Sequence, residues 1–183
     1  MPHSNASAAQ LLVENFSLLE NLSIEYGVLD LACGEGRNGL HLAEHKLKVT
    51  FADYDETNLS HVENELHAKG LQGQCWRVDL EVANSEPLAD KCFDAVLVFN
   101  YLHRPLMPAI KQVIRPGGVL FYDTFTMDQI QFGKPTNPDY LLRPGELLDC
   151  FKGWERLYYF EGEMLSPGAQ NRCAKASLIA RKP

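Results

Sequence analysis

Nothing constrains the fold of this chain more than a run of glycines set between a strand and a helix. Tyr26-Gly-Val-Leu-Asp-Leu31 is short and apolar, Gly34-Glu-Gly36-Arg-Asn-Gly39 follows, and Gly39-Leu-His-Leu-Ala-Glu44 has the apolar spacing of a helix. Glycines let a backbone approach a ligand closely, and a helix N-terminus offers N–H groups with no partner inside the helix. A strand, a glycine turn and a helix in that order open the α/β sheets that cradle nucleotides. Gly34-x-Gly36-x-x-Gly39 is also the bare dinucleotide fingerprint, a short pattern whose meaning depends on its flanks.

The flank that decides is Asp30, which ends the strand four residues before Gly34. A pyrophosphate beside this carboxylate would be repelled, whereas a cationic amino group, such as that of the methionine moiety of S-adenosylmethionine, would be attracted. The segment resembles the first motif of the class I S-adenosylmethionine-dependent methyltransferases, acid-x-x-x-Gly-x-Gly, at Asp30, Gly34 and Gly36. Cys33, Arg37 and Asn38 are similar to the Cys-Gly-x-Gly-Arg-Asn variant of tellurite-resistance and thiopurine-type small-molecule methyltransferases. The resemblance spans roughly residues 25–125. It implies S-adenosyl-L-methionine as cofactor and S-adenosyl-L-homocysteine as product, with Ala32, Cys33, Gly34, Gly36 and Asn38 around the methionine end. Gly39 is then a close-packing position in the helix.

Further strands are expected at Lys48–Asp53, Gln74–Asp79, Phe93–Phe99 and Val119–Phe125, separated by helices over Thr57–Lys69 and Pro105–Ile114. Alternation of this kind needs crossovers, hence a parallel sheet. Phe93–Phe99 is continuously apolar after Asp94, as in a strand buried on both faces. Arg115-Pro-Gly-Gly118 is read as a turn. The N-terminal segment Ala6–Leu22 has Ala8, Leu12, Phe16 and Leu19 at helical spacing, with Ser7 as an N-cap, and is expected to pack over the cofactor site. Residues 126–145 are dense in proline and glycine and are read as a loop insert, a candidate lid. Arg156–Glu161 and Cys173–Ala180 complete the sheet as two strands paired antiparallel. The expectation is an α/β, doubly wound, mostly parallel sheet of seven strands in one domain. Residues 1–25 form the N-terminal helix, 26–125 the cofactor-binding core, and 126–183 the insert and last strands.

In open parallel sheets, ligands gather outside the carboxyl ends of the strands. Asp30, Asp53, Asp79 and Asn100 all fall on such ends. Asp53, 19 residues after Gly34, is placed to accept ribose hydroxyls, and Tyr54 to lie against adenine. Asp55 is the N-cap of the helix that follows. The resemblance implies that Asp79 accepts from the adenine amino group, that the Leu80 N–H meets a ring nitrogen, and that Asn100 stands beside the sulfonium. A sulfonium methyl is already electrophilic, so positioning the nucleophile does most of the catalytic work. The candidates for that role are Tyr101 as a wall, His103 as a base or orienting group, and Arg104 and Arg143 as contacts to an anionic substrate. Asn100-Tyr-Leu-His103 departs from the Asn/Asp-Pro-Pro-aromatic signature of amino-methylating enzymes, which disfavours nucleic-acid bases as substrates.

Composition sets the remaining bounds. The net charge of −7 disfavours a nucleic-acid footprint. It is uneven, with 6 basic and 16 acidic residues over 1–100 but 11 and 8 over 101–183, a balance favouring an anionic small-molecule acceptor in the second half. The five cysteines lack a C-x-x-C spacing, as in a reducing compartment. With no apolar run of roughly 18 residues and no signal-like N-terminus, a cytoplasmic protein without membrane contact is expected. His41-Leu-Ala-Glu44-His45 matches a zinc-peptidase pattern, but the helix bearing it is the one opened by the glycine loop, so surface histidines without metal are expected. Oligomeric state is not legible. Two other readings stay open: an NAD(P)-dependent oxidoreductase, which usually needs a longer chain, and a non-catalytic cofactor-binding module.

Overall fold

The structure is a computed structural model that describes residues 7–165 and 171–183. Seven strands form one sheet in the order β3-β2-β1-β4-β5-β7-β6. They are β1 (Val28–Leu31), β2 (Val49–Asp53), β3 (Gln74–Arg77), β4 (Phe93–Phe99), β5 (Ile114–Phe125), β6 (Glu155–Leu165) and β7 (Arg172–Arg181). The first five run parallel, and β7 enters antiparallel beside β5 with β6 antiparallel outside it. The expected doubly wound sheet, and the antiparallel pairing of its last strands, are therefore present.

Helices cover both faces, and strand side chains alternate between them with period two. Ala95, Leu97 and Phe99 of β4 join a core under α1 (Gln10–Glu14), α2 (Ser17–Glu20), α3 (Arg37–Glu44) and α4 (Glu56–Lys69), while Val96 and Val98 face α5 (Met107–Val113) and α6 (Glu146–Cys150). The two central strands thus bury both rows of side chains, as the unbroken apolar run of β4 implied.

Three local expectations need revision. The N-terminal segment is two short helices broken at Asn15–Phe16, not one. Ser7 caps neither, because the N-cap of α1 is Ala9 with no side-chain bond. The expected first residue, Ala6, lies outside the described residues. Arg115–Gly118 does not separate α5 from the strand but lies inside β5: Phe93 pairs with Ile114 and Ala95 already with Val119. The looped-out residues wrap Asp94, which is buried in β4. Its carboxylate accepts the N–H groups of Glu25, Tyr26 and Gly27 at 2.6–2.8 Å and Arg115 Nε at 2.5 Å. Burial opposes that charge, but Arg115 and the three amides outweigh it and hold the carboxyl below its usual range. The insert 126–145 is tied down as well. Thr126 bridges Leu142, the Met127 N–H donates to the Leu142 carbonyl at 2.9 Å, and short 3-10 turns occupy Met127–Gln131 and Pro138–Tyr140.

Candidate cofactor and acceptor site

The glycine loop connects β1 to α3 through left-handed backbone at Ala32, Gly34 and Gly36, with φ of 53°, 55° and 76°. At Gly36 a Cβ would also come within 2.5 Å of Val62 Cγ2, so only glycine fits both the conformation and the space. At Gly34 a Cβ would meet nothing within 4 Å, so the loop leaves open room on its outer side. Gly39 is the close-packing position expected, since a Cβ there would lie 2.3 Å from Phe51 Cε1 and 2.8 Å from Asp30 Oδ2.

Two strand-end acids hold this loop. Asp30 Oδ2 accepts the Gly39 N–H at 2.8 Å. Burial pushes the Asp30 carboxyl up to about 7, with the Gly39 bond and Arg37 acting the other way. Asp53 accepts the Gly34 N–H at 2.8 Å and the Asp55 N–H at 2.9 Å. Each carboxylate oxygen has a second lone pair, so both acids keep acceptor capacity for a ligand. Asp55 caps α4 through the Thr57 N–H at 2.8 Å, as expected. Asn38 is buried and its Oδ1 takes the Ala9 N–H at 2.8 Å, which anchors the N-terminal segment on the loop.

Three cavities meet along this edge of the sheet. A methionine-side cavity of about 690 Å³ is lined by Asp30, Ala32, Cys33, Gly34, Asn38 and Asn100, among others, and extends into a groove between α3 and α4. An adenosine-side cavity of about 440 Å³ shares Ala32 with it and adds Asp53, Tyr54, Asp79, Leu80 and Tyr101. A third cavity of about 460 Å³ shares Asn100 with the first and Tyr101, Tyr140 and Glu81 with the second, and is closed by Leu102, Phe125, Lys134 and Pro135. Asp30, Ala32, Cys33, Gly34, Asn38, Asp53, Tyr54, Asp79, Leu80, Asn100 and Tyr101, singled out in the sequence, are thus gathered here. Gly36 shapes the loop from behind, packed on Val62. Asp79 and Leu80 lie just beyond β3, which ends at Arg77 rather than at Asp79. The Tyr101 hydroxyl is shielded from solvent and makes no hydrogen bond of ordinary geometry among the described residues. Burial, reinforced by nearby Glu81, raises its pKa. With Glu81 beside it, the Tyr101 hydroxyl stands at the junction of the second and third cavities.

The other catalytic candidates stand elsewhere. Arg104 does not line the third cavity: it grips Glu146 with Nε and Nη2 at 2.6 and 2.8 Å and donates to the carbonyls of Asp139 and Leu141 at 2.9 and 2.7 Å. Four bonds consume the guanidinium and clamp the insert to the β4–α5 connection. Arg143 is exposed and lines none of the three cavities; its backbone N–H donates to the Glu146 carboxylate at 2.8 Å and its carbonyl accepts the Glu146 N–H at 3.0 Å. His103 precedes a 3-10 turn, Arg104–Leu106, with no side-chain cap and no part in those cavities. His41 and His45 stack on Phe16 with ring centroids 5.7 and 4.5 Å away, and His45 Nδ1 meets the His41 carbonyl at 2.8 Å. Among the described residues no His, Cys, Asp and Glu cluster could hold a metal.

Sequence reasoning missed Lys134 and Glu81 in the cavity walls. It also missed a buried ion pair, Asp123–Lys175, whose ammonium reaches Asn100 Oδ1 at 2.6 Å. A signal existed: Asp123 is the one charge of Val119–Phe125 and Lys175 the one charge of Cys173–Ala180.

Residues 28–118 match the family described as methyltransferase domain. A probable S-adenosyl-L-methionine-dependent methyltransferase, TehB of Haemophilus influenzae, is 29% identical over 165 residues, 85% of this chain and 57% of the relative. These matches place an S-adenosylmethionine-dependent methyltransferase domain on residues 28–118. Among solved structures, the crystal structure of TehB from Haemophilus influenzae superposes with TM-score 0.78 at 23% identity, covering 98% of this chain and 64% of that one. A structure concerned with conversion of a disulfide bond into a thioacetal group during echinomycin biosynthesis superposes at 0.71 with 21% identity, covering 100% and 84%. At these identities the likeness establishes the methyltransferase fold. The methyltransferase chain spans little more than half the length of the curated relatives it matches.

Proposed function

We propose that this methyltransferase transfers the methyl group of S-adenosylmethionine to a small-molecule acceptor bound in the third cavity. The observation that carries the reading is the order of the cavities: one on the glycine loop, one on Asp53 and Asp79, and a third that meets both through Asn100 and Tyr101. The donor set fits the cofactor, since it joins the buried Asp30 carboxylate and the Asp53 carboxylate around a glycine cradle that is open at Gly34. Asp30 faces the ammonium end, Asp53 the ribose hydroxyls, Tyr54 and Leu80 the adenine, Asp79 its amino group, and Asn100 the reacting end. When bound, the cofactor supplies an electrophilic methyl. Tyr101, Tyr140, Leu102 and Phe125 exclude water from the acceptor and fix its approach, where effective molarity is worth roughly 7–11 kcal/mol. The wall carries one cation, Lys134, and one anion, Glu81, and an anionic acceptor would lie at the Lys134 end. The unpaired cysteines suit a reducing compartment such as the cytoplasm.

The test is a panel of thiols, amines, carboxylates and metalloid anions scored by S-adenosylhomocysteine release from the protein saturated with S-adenosylmethionine. Turnover with at least one class is expected. Tight cofactor binding with silence across the panel would instead favour a cofactor-binding module.

A further inference from the structure

A charged network that neither the glycine loop nor the strand-end acids use adjoins Asn100; Asp123, Lys175 and Ser177 line a separate cavity of about 140 Å³. Lys175 on β7 is 8% exposed, and its ammonium pairs with the Asp123 carboxylate on β5. Ser177 Oγ donates to the other Asp123 oxygen at 2.7 Å, so that carboxylate is fixed from two sides. The same ammonium lies 4.8 Å over the ring of Phe125, which lines the acceptor cavity. Its remaining contact is to Asn100 Oδ1, at 2.6 Å.

That last bond determines which way Asn100 points. An ammonium has donors only, so the Asn100 atom facing it must be the amide oxygen, and the amide cannot flip. Its Nδ2, with two N–H groups, is therefore turned away from Lys175, and no described residue accepts a hydrogen bond from it. The backbone is held as well: Asn100 is left-handed at φ 55°, and its N–H donates to the Asp123 carbonyl at 2.8 Å. Asn100 itself is exposed and lines both the methionine-side and the acceptor cavities.

We propose that Lys175 is a positioning residue that sets acceptor specificity: by holding Asn100 Oδ1, it presents the Asn100 N–H groups to the acceptor and selects a carboxylate or thiolate over an ammonium-bearing molecule. The proposal rests on the methyl-transfer reading of the same cavities. An anionic acceptor takes these N–H donors and lies near Lys134. An ammonium at Asn100 would set donor against donor and lose the bond, although Glu81 stands in the same wall. Asp123 keeps the buried lysine compensated, so orientation is obtained without an unpaired charge in the sheet.

The experiment titrates the protein, saturated with S-adenosylhomocysteine, with benzoate, thiophenolate and benzylammonium, following heat and the assigned Asn100 side-chain amide resonances. The two anions are expected to bind and shift those resonances, and benzylammonium to do neither. Lys175→Met alone would strand Asp123, so the informative variant is Lys175→Met with Asp123→Leu, which removes both charges together. It should weaken benzoate about tenfold or more while S-adenosylhomocysteine affinity stays within about threefold. Lys175→Arg should retain benzoate binding, and Asn100→Asp should turn the preference toward benzylammonium. The proposal is overturned if benzylammonium binds the unaltered protein better than benzoate, if neither anion binds it, or if the folded double variant holds benzoate unchanged. Failure of S-adenosylhomocysteine to bind the unaltered protein would defeat the methyltransferase reading instead, so the two failures are told apart.

Discussion

The two halves of the sheet use their charged residues in opposite ways. On the β1–β3 side, Asp30 and Asp53 stand at strand ends, bond backbone N–H groups of the glycine loop and its helix, and keep lone pairs facing cavities. On the β5–β7 side many of the cations pair with acids or carbonyls of the protein itself. Arg104 pairs with Glu146, Arg115 with Asp94, Arg172 with Glu163, Lys175 with Asp123 and Arg181 with Glu155, while Lys182 donates to the carbonyls of Lys111, Gln112 and Ile114. The positive balance of residues 101–183 is therefore mostly scaffold, and Lys134 alone of its cations lines the acceptor cavity. The lesson is that half-chain charge says little about a ligand; a charge at a strand end says much more.

That contrast predicts distinct phenotypes. The largest effect belongs to a scaffold charge. Asp94→Ala strands three backbone amides and Arg115 in a buried position, and should cost about 3–5 kcal/mol in a urea-unfolding titration. A loss under about 1 kcal/mol would mean the pair is ornamental. Next comes Arg104→Ala, which leaves half-buried Glu146 and two carbonyls unpartnered and should cost about 2–3 kcal/mol of stability. Acceptor affinity should change little in that variant, whereas a substrate contact would show the reverse pattern.

On the ligand side the effects move from folding to binding. Asp53→Ala should weaken S-adenosylhomocysteine by about 1.5–3 kcal/mol, measured calorimetrically, because charged acceptors to the ribose hydroxyls are lost. Unchanged affinity would remove Asp53 from the ribose site. A graded effect is the pH dependence at Asp30, whose carboxyl sits near 7 through burial. Between the ordinary carboxylate range and about 7, the folded protein holds a proton that the unfolded chain has released. The ligand-free protein should therefore lose stability as pH rises across that window. A ligand ammonium needs the ionised form, so affinity should climb with pH, by up to about tenfold per unit below 7, and flatten above. A flat profile from pH 5 to 8 would detach Asp30 from the ammonium.

The same contrast explains what the sequence made legible. The glycine loop, Asp53 and the Asp55 cap are local signals, in which a few adjacent residues dictate conformation and place a side chain at a strand end. The clamps are not local. Arg104 meets Glu146 42 residues away, and Lys175 meets Asp123 52 residues away, so their roles depend on strand order and register. The sequence neighbours of Arg104 alone point it toward a substrate, and its partner Glu146 is not among them. Arg115–Gly118 has genuine turn chemistry, yet the sheet keeps it inside β5 because Asp94 gathers the looped-out residues around itself. The insert read as a lid is pinned by a bridge and by Arg104, features visible only once Leu142 and Glu146 are placed.

The most direct test of the central claim is calorimetry of the unaltered protein against S-adenosylhomocysteine and, separately, NAD. Asp30, Asp53 and the glycine cradle should bind S-adenosylhomocysteine with a micromolar-range dissociation constant, about −8 kcal/mol, and give no heat with NAD. Binding of NAD with no response to S-adenosylhomocysteine would contradict the account.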